Sequence, residues 1–162
     1  MSTSASNRAT FRMAQMEDEP AVVELLVASN LPLDGVHGAL PWFVVAERGA
    51  TIIGVAGIEA CGPASDHALL RSVAVAPAWQ SRGLGRALVT RAIAEAEARG
   101  VKALYLLTTT ADGYFPAFGF TITSRDAVPA DIRATAEFRE VCPASATVMV
   151  RASSNATPVV AT

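Results

Sequence analysis

The chain has 162 residues, 51% of them hydrophobic and 17% charged, with a formal net charge of -2. That length and composition suit one globular domain with a sizeable core, and the lack of any Lys or Arg block argues against a nucleic-acid partner, which would be gripped through its phosphates. No apolar run approaches the roughly 20 residues of a membrane span, and no charged start followed by an apolar core marks a secretory signal, so no membrane association and a cytoplasmic setting are expected.

Residues 1–8 are small and polar and read as a disordered tail, residues 9–151 as a single domain, and residues 152–162 as a flexible tail. Residues 9–13 (ATFRM) alternate as a first strand, and Asp18, Glu19 and Pro20 open a helix whose buried stripe is Val22, Leu25 and Leu26, ending near Asn30. Residues 31–41 (LPLDGVHGALP) hold two glycines and two prolines and cannot form a long regular element; His37 reads as an exposed loop histidine. Residues 42–47 and 51–60 form a strand hairpin, with Gly54 and Gly57 marking a bulge or the close approach of another chain or ligand. Residues 61–67 make a polar turn, and a central strand starts at Ala68. Cys61 and Cys142 offer neither a disulfide framework nor metal-ligand spacing, so unpaired thiols and no metal are expected.

Residues 69–100 organise the chain. An apolar strand breaks at Pro77, passes through a loop with Gln80, Arg82, Gly83 and Gly85, and continues as an alanine-rich helix to Arg99, stopped by Gly100. A helix's first turn presents N–H groups without intrahelical partners at the positive end of its dipole, which suits a phosphate, and Arg82 and Arg86 add charge beside it. A Walker loop would need Lys-Ser or Lys-Thr where Arg86-Ala87 stand, and a dinucleotide fingerprint would need a small residue where Leu88 stands, so neither fits. Residues 103–108 (ALYLLT) form an interior strand, 122–129 a loop, 131–140 a helix with an Arg133–Glu137 pair, and 147–151 a closing strand. The result is a mixed α/β domain.

The segment from Val73 through Gly85 resembles the acetyl-CoA motif of the GNAT N-acetyltransferase superfamily, and Tyr114-Phe115-Pro116-Ala117-Phe118-Gly119-Phe120 resembles its second, aromatic motif. The resemblance implies an acyl-CoA N-acyltransferase fold, a central bent mixed sheet flanked by helices, using acetyl-CoA as co-substrate. In that frame Val73, Ala74 and Val75 pair with the pantetheine arm, and Gln80, Ser81, Arg82, Gly83, Leu84, Gly85 and Arg86 hold the pyrophosphate. A strand amide there could polarise the thioester carbonyl.

Acetyl transfer also needs an amine freed of its proton and a stabilised thiolate. The resemblance puts the thiolate's acid at the position of Phe115, which instead becomes a cofactor contact. Tyr114 stands one residue earlier. Three readings stay open: Tyr114 reorients, water serves, or no acid is needed; the last is favoured, because a thiolate of pKa near 8 to 9 leaves unaided. Glu59, at a strand end near the expected acceptor cleft, is the preferred base, against a plain solvated glutamate, and His67 is a weaker candidate. Arg71 interrupts an apolar strand, where a charge is costly unless paired, so it either clamps a substrate carboxylate or pairs with Glu59. Ser72, Thr109 and Arg133 are possible acceptor-side helpers, and residues 31–41 would arch over that site.

The segments LLRSVAVAP, YLLTTTA and IRATAEFREVCPASA resemble, more narrowly, N-acetyltransferases of arsenic-resistance operons. That implies a small amino-acid-like amine acceptor, including an arsenic-containing one, with a homodimer left open. A protein or peptide N-acetyltransferase and a non-catalytic acyl-CoA sensor are the alternatives.

Overall fold

The computed structural model describes residues 9–62, 66–109, 111, 113–136, 138–139 and 146–152. Seven strands are hydrogen-bonded in the order β1-β2-β3-β4-β5-β7-β6, a mixed sheet. They are β1 (Thr10–Met13), β2 (Val44–Arg48), β3 (Thr51–Cys61), β4 (His67–Val75), β5 (Ala103–Thr108), β6 (Thr121–Thr123) and β7 (Thr147–Ala152). The helices are α1 (Glu19–Ala28), α2 (Val36–Ala39), α3 (Leu84–Ala98) and α4 (Ala130–Arg133). The chain divides into two compact units, one of Met1–Glu59 with Leu70–Ala92, the other of Ala60–Leu69 with Ile93–Thr162.

In the first unit β1 runs antiparallel to β2, from Thr10 opposite Glu47 to Met13 opposite Val44. Helix α1 has Pro20 in its first turn, where the missing N–H costs nothing. Its Val22, Leu25 and Leu26 lie at the spacing of one helix face and pack with Val36, Leu40, Phe43, Val45, Val55 and Ala74. Between β2 and β3 the register shifts after Ala46, which faces Gly54 while Glu47 faces Ile52, leaving Ile53 as an extra residue. The expected bulge lies beside Gly54, and what crowds the two glycines is this chain's own core: a Cβ on Gly54 would lie 2.7 Å from Leu88, and one on Gly57 would lie 2.5 Å from the Phe43 ring. Arg12 ties β1 to Asp18 at 2.7 Å and to Glu47 at 3.0 Å. That guanidinium, helped by the Gln15 amide and opposed by burial, holds the Asp18 carboxyl below its ordinary value.

In the second unit β4 pairs in parallel with β5 through His67, Ala68 and Leu69, and β5 runs antiparallel to β7 from Ala103 to Thr108. Cys61, Leu69, Tyr105, Val128, Ile132, Phe138 and Val148 form its core. Burial, with Asp131 nearby, pushes the Tyr105 phenol up.

Five sequence expectations need correction. Residues 121–123 form strand β6 against Val148–Val150 of β7 where a loop was expected, because pairing with β7 supplies what three residues of local pattern cannot. The helix expected over 131–140 is interrupted: α4 ends at Arg133, Thr135 donates its hydroxyl to the Ile132 carbonyl at 2.8 Å and accepts from the Phe138 amide at 3.3 Å, and helical backbone is described again at 136 and 138–139, where the Arg139 amide donates to the Thr135 carbonyl at 3.0 Å. Trp42 belongs to a 3-10 turn opened by Leu40 and Pro41, so β2 starts at Val44. Strand β4 starts at His67, one residue early. Ala152, expected to open the C-terminal tail, is the last residue of β7, while Glu137, Cys142, residues 1–8, residues 153–162 and the middle of the turn at 63–65 lie outside the described residues.

Candidate active site

The end of β4 is built as a rigid lead into α3. The Ala76 amide donates to the carbonyl of the bulge residue Ile53 at 2.8 Å, and a 3-10 turn at Pro77–Trp79 follows. Gln80 folds back, its side-chain amide donating to the Val75 carbonyl at 3.0 Å, so the side chain braces the turn. Ser81 and Gly83 are both left-handed, with φ of 65° and 81°, and they swing the chain into α3 at Leu84. For Gly83 this backbone is the reason for glycine, since nothing lies within 4 Å of where its Cβ would be. The first helical bond runs from the Ala87 amide to the Gly83 carbonyl, so the amides of Leu84, Gly85 and Arg86 belong to the turn that has no intrahelical acceptors.

This turn suits a phosphate group: its glycine faces open space, its amides belong to a helix mouth, and exposed Arg82 and Arg86 flank it. The side chain of Leu84 is buried and packs toward Gly54, which leaves only its backbone for ligand contact.

Upstream on β4, Val73 and Val75 are half-buried and Ala74 is buried. The ladder with β5 ends at Leu69 opposite Tyr105. Ser72 is 6% exposed and left-handed at φ 58°, an unfavourable conformation for a residue with a Cβ, and it interrupts the pleat. Its hydroxyl accepts from Arg71 Nε at 3.0 Å.

Arg71 is the most enclosed charge of this unit. Its side chain has 0% exposure; Nη1 lies 2.8 Å from Glu59 Oε1, and Nη2 donates to the Pro32 carbonyl at 3.4 Å. The loop reaches this pair directly, because a Cβ on left-handed Gly35 would sit 3.2 Å from Arg71 Nη1 and 3.6 Å from Glu59 Oε1. Of the two readings of Arg71, the pairing with Glu59 is therefore present, and Glu59 is a half-buried ion-pair partner rather than a solvated strand end. The Pro32 carbonyl and Gly35 carried no sequence signal of this contact.

The remaining candidates, His37 of the first unit apart, lie in the second unit. Tyr114 is 38% exposed and Phe115 9%, the rings meeting edge to face at 5.1 Å, with Phe118 and Phe120 completing an aromatic cluster. Thr109 and Arg133 are exposed. His67 Nδ1 lies 3.5 Å from Asp131 Oδ2. His37, exposed as expected, meets Glu19 at 2.7 Å. Among the described residues no group of three or more His, Cys, Asp or Glu is arranged to hold a metal, and no helix is long and apolar enough to cross a membrane.

A strand, a left-handed turn and a helix mouth, with Arg71 on that strand paired to Glu59 of β3, make an α/β domain whose turn suits an anion. Residues 10–120 match the model of the Acetyltransferase (GNAT) family, and the chain belongs to that family. An amino-acid acetyltransferase of Ectopseudomonas mendocina (strain ymp) is 31% identical over 130 residues, which are 75% of this chain and 29% of that protein. The N-acetylglutamate synthase of Neisseria gonorrhoeae, solved with coenzyme A and L-arginine, superposes with a TM-score of 0.75 at 23% identity, covering 90% of this chain and 33% of that one. Rv2747 from Mycobacterium tuberculosis, solved with CoA and NLQ, superposes at 0.74 and 23% identity, covering 88% of this chain and 98% of that one. The chain thus spans about a third of the length of the first two relatives.

Proposed function

We propose that this chain moves the acetyl group of acetyl-CoA, by direct transfer, onto the primary amine of a small amino-acid-like acceptor. The observation that carries the acceptor class is the Arg71–Glu59 pair. An α-amino acid carries a carboxylate and an ammonium on one carbon, so it matches that pair charge for charge, its carboxylate on the Arg71 fork and its ammonium on Glu59. The amino-acid acetyltransferase and N-acetylglutamate synthase relatives support the same class.

Bound acetyl-CoA supplies an activated acyl carbon and a good leaving group. The chain does the rest. The β4 backbone at Val73, Ala74 and Val75 orients the pantetheine arm, and the amides of Ser81, Arg82, Gly83, Leu84, Gly85 and Arg86 hold the diphosphate, while Gln80 braces the turn. Ser72 steadies Arg71. Glu59 takes the proton from the acceptor ammonium and frees the amine to attack. A thiolate with a pKa of about 8 to 9 leaves without an acid, so a buried Phe115 is compatible with transfer and Tyr114 is not required. Thr109 and Arg133 do not enter this proposal.

The narrower resemblance to arsenic-resistance N-acetyltransferases makes an arsenic-bearing amino acid one member of the acceptor class, with acetylation removing its amine charge. One observation favours a second reading, an acyl-CoA sensor: Phe115, where the family resemblance expects a hydroxyl, is buried among aromatic rings. Purified protein given acetyl-CoA and a panel of amino acids, an arsenic-bearing analogue and peptides, with free thiol followed over time, separates them. Amino-acid-dependent thiol release supports transfer, binding without turnover supports the sensor, and turnover with peptides alone moves the acceptor to the protein class.

A further inference from the structure

Two arginines from separate parts of the chain meet on one indole. Arg48 closes β2 at the turn into β3, and Arg82 stands between the left-handed residues Ser81 and Gly83. Their guanidinium carbons lie 5.3 Å and 5.1 Å from the centre of the Trp79 ring. Both arginines are exposed and Trp79 is half-buried. Two like charges on one ring repel each other, and each exposed cation–π contact is weak, so the arrangement gains little as a stability device. What it does is bring two planar forks to one ring, that of Arg82 two residues before the start of α3, and such forks bond phosphate oxygens bidentately.

We propose that Arg48 and Arg82, ordered by Trp79, form a second anion subsite for a terminal phosphomonoester, the 3′-phosphate of the CoA adenosine. This rests on the acetyl-CoA reading above. A diphosphate is answered by the helix-mouth amides, whereas a phosphomonoester carries about 1.5 to 2 negative charges and calls for two cations. The turn between β2 and β3 thereby becomes part of cofactor selection, with Arg48 the residue that distinguishes CoA from its dephospho form.

Calorimetry with acetyl-CoA and 3′-dephospho-acetyl-CoA tests it, on the wild-type chain and on Arg48→Ala, Arg48→Lys and Trp79→Leu. The wild type should bind the phosphorylated form about tenfold or more tightly, the gain of charge-assisted bonds to one phosphate. Arg48→Ala should bring the two affinities to within about threefold by weakening acetyl-CoA alone. Arg48→Lys should fall between, and Trp79→Leu should lose the preference although both charges remain. Adenosine 3′,5′-bisphosphate should compete better than adenosine 5′-monophosphate on the wild type only. Equal wild-type affinity for the two CoA forms, or an Arg48→Ala change that weakens both alike, overturns the subsite while leaving the acetyl-CoA reading standing. No binding of either form by the wild type overturns both.

Discussion

Replacing Arg71 removes a guanidinium with no exposed side-chain surface whose partners include Glu59, Ser72 and the Pro32 carbonyl. Breaking a buried ion pair costs about 3 to 5 kcal/mol. Glu59 keeps 22% of its side-chain surface in water, so its carboxylate recovers part of its hydration and the lower end, about 3 kcal/mol, applies to Arg71→Ala. Arg71→Lys keeps the charge and loses the fork, and it is the variant to use if the alanine form does not fold. The decisive assay compares kcat/KM for an accepted amino acid with that for the same molecule lacking its carboxylate. Loss of a buried, hydrogen-bonded charge contact costs about 2 to 5 kcal/mol, and 1.4 kcal/mol is a factor of ten, so the wild type's preference for the carboxylate should shrink by about 100-fold in the variant. If both substrates slow equally and the preference survives, Arg71 is a structural partner of Glu59 and the carboxylate clamp is wrong.

Glu59→Gln preserves an oxygen acceptor for Arg71 and removes the proton acceptor, so kcat/KM should fall about 10² to 10⁴-fold while acetyl-CoA affinity is unchanged; full retained rate removes the base assignment. Gly57→Ala places a methyl 2.5 Å from the Phe43 ring, which is 0% exposed and cannot withdraw, so the stability measured by urea unfolding should drop by about 1 to 3 kcal/mol; an unchanged stability would mean that β3 shifts freely. The Asp18 carboxyl, held down chiefly by Arg12, contributes stability that is present above its ordinary value of 3.8 and is lost as pH falls through its lower folded value. The stability gap between wild type and Asp18→Asn should therefore be constant at neutral pH and close in acid; a gap that ignores acid would show that the pair does not act through charge.

The order of strand, turn and helix around Gly83 was legible because it is local: the breaker Pro77, the glycines and the alanine-rich run act within a few residues of one another. Helix α1 was legible for the same reason, through Pro20 and the spacing of Val22, Leu25 and Leu26. Strand β6 was not, since three residues on a sheet edge owe their form to β7. Nor was the break between α4 and the helical residues at 136 and 138–139, where the hydroxyl of Thr135 bonds the Ile132 carbonyl and the Phe138 amide. Arg71 announced itself as a charge in an apolar strand with Glu59, 12 residues away, as one of its two expected partners, but deciding that the two meet required the register of two strands. Arg48 and Trp79 carried no signal, because only the folded β2–β3 turn brings them to one place.

Within the first unit, cradle and charged pair are coupled through backbone. Arg71 and Ser72 stand on β4 a few residues before the turn that opens α3, and both ends are fastened to β3: Arg71 to Glu59, and Ala76 to the carbonyl of the bulge residue Ile53. Leu88 of α3 packs where a side chain on Gly54 would be, so the helix is seated on that same strand. Strand side chains alternate faces, and a slip of one residue between β3 and β4 would turn Glu59 away from Arg71 while pulling Ile53 out from under Ala76. Changes to the charged side chains should therefore alter acceptor kinetics and spare acetyl-CoA affinity. Changes that disturb the β3 register, such as a larger residue at Gly54, should damage both together, and a Gly54 variant that lost only one would show that the two halves are held separately.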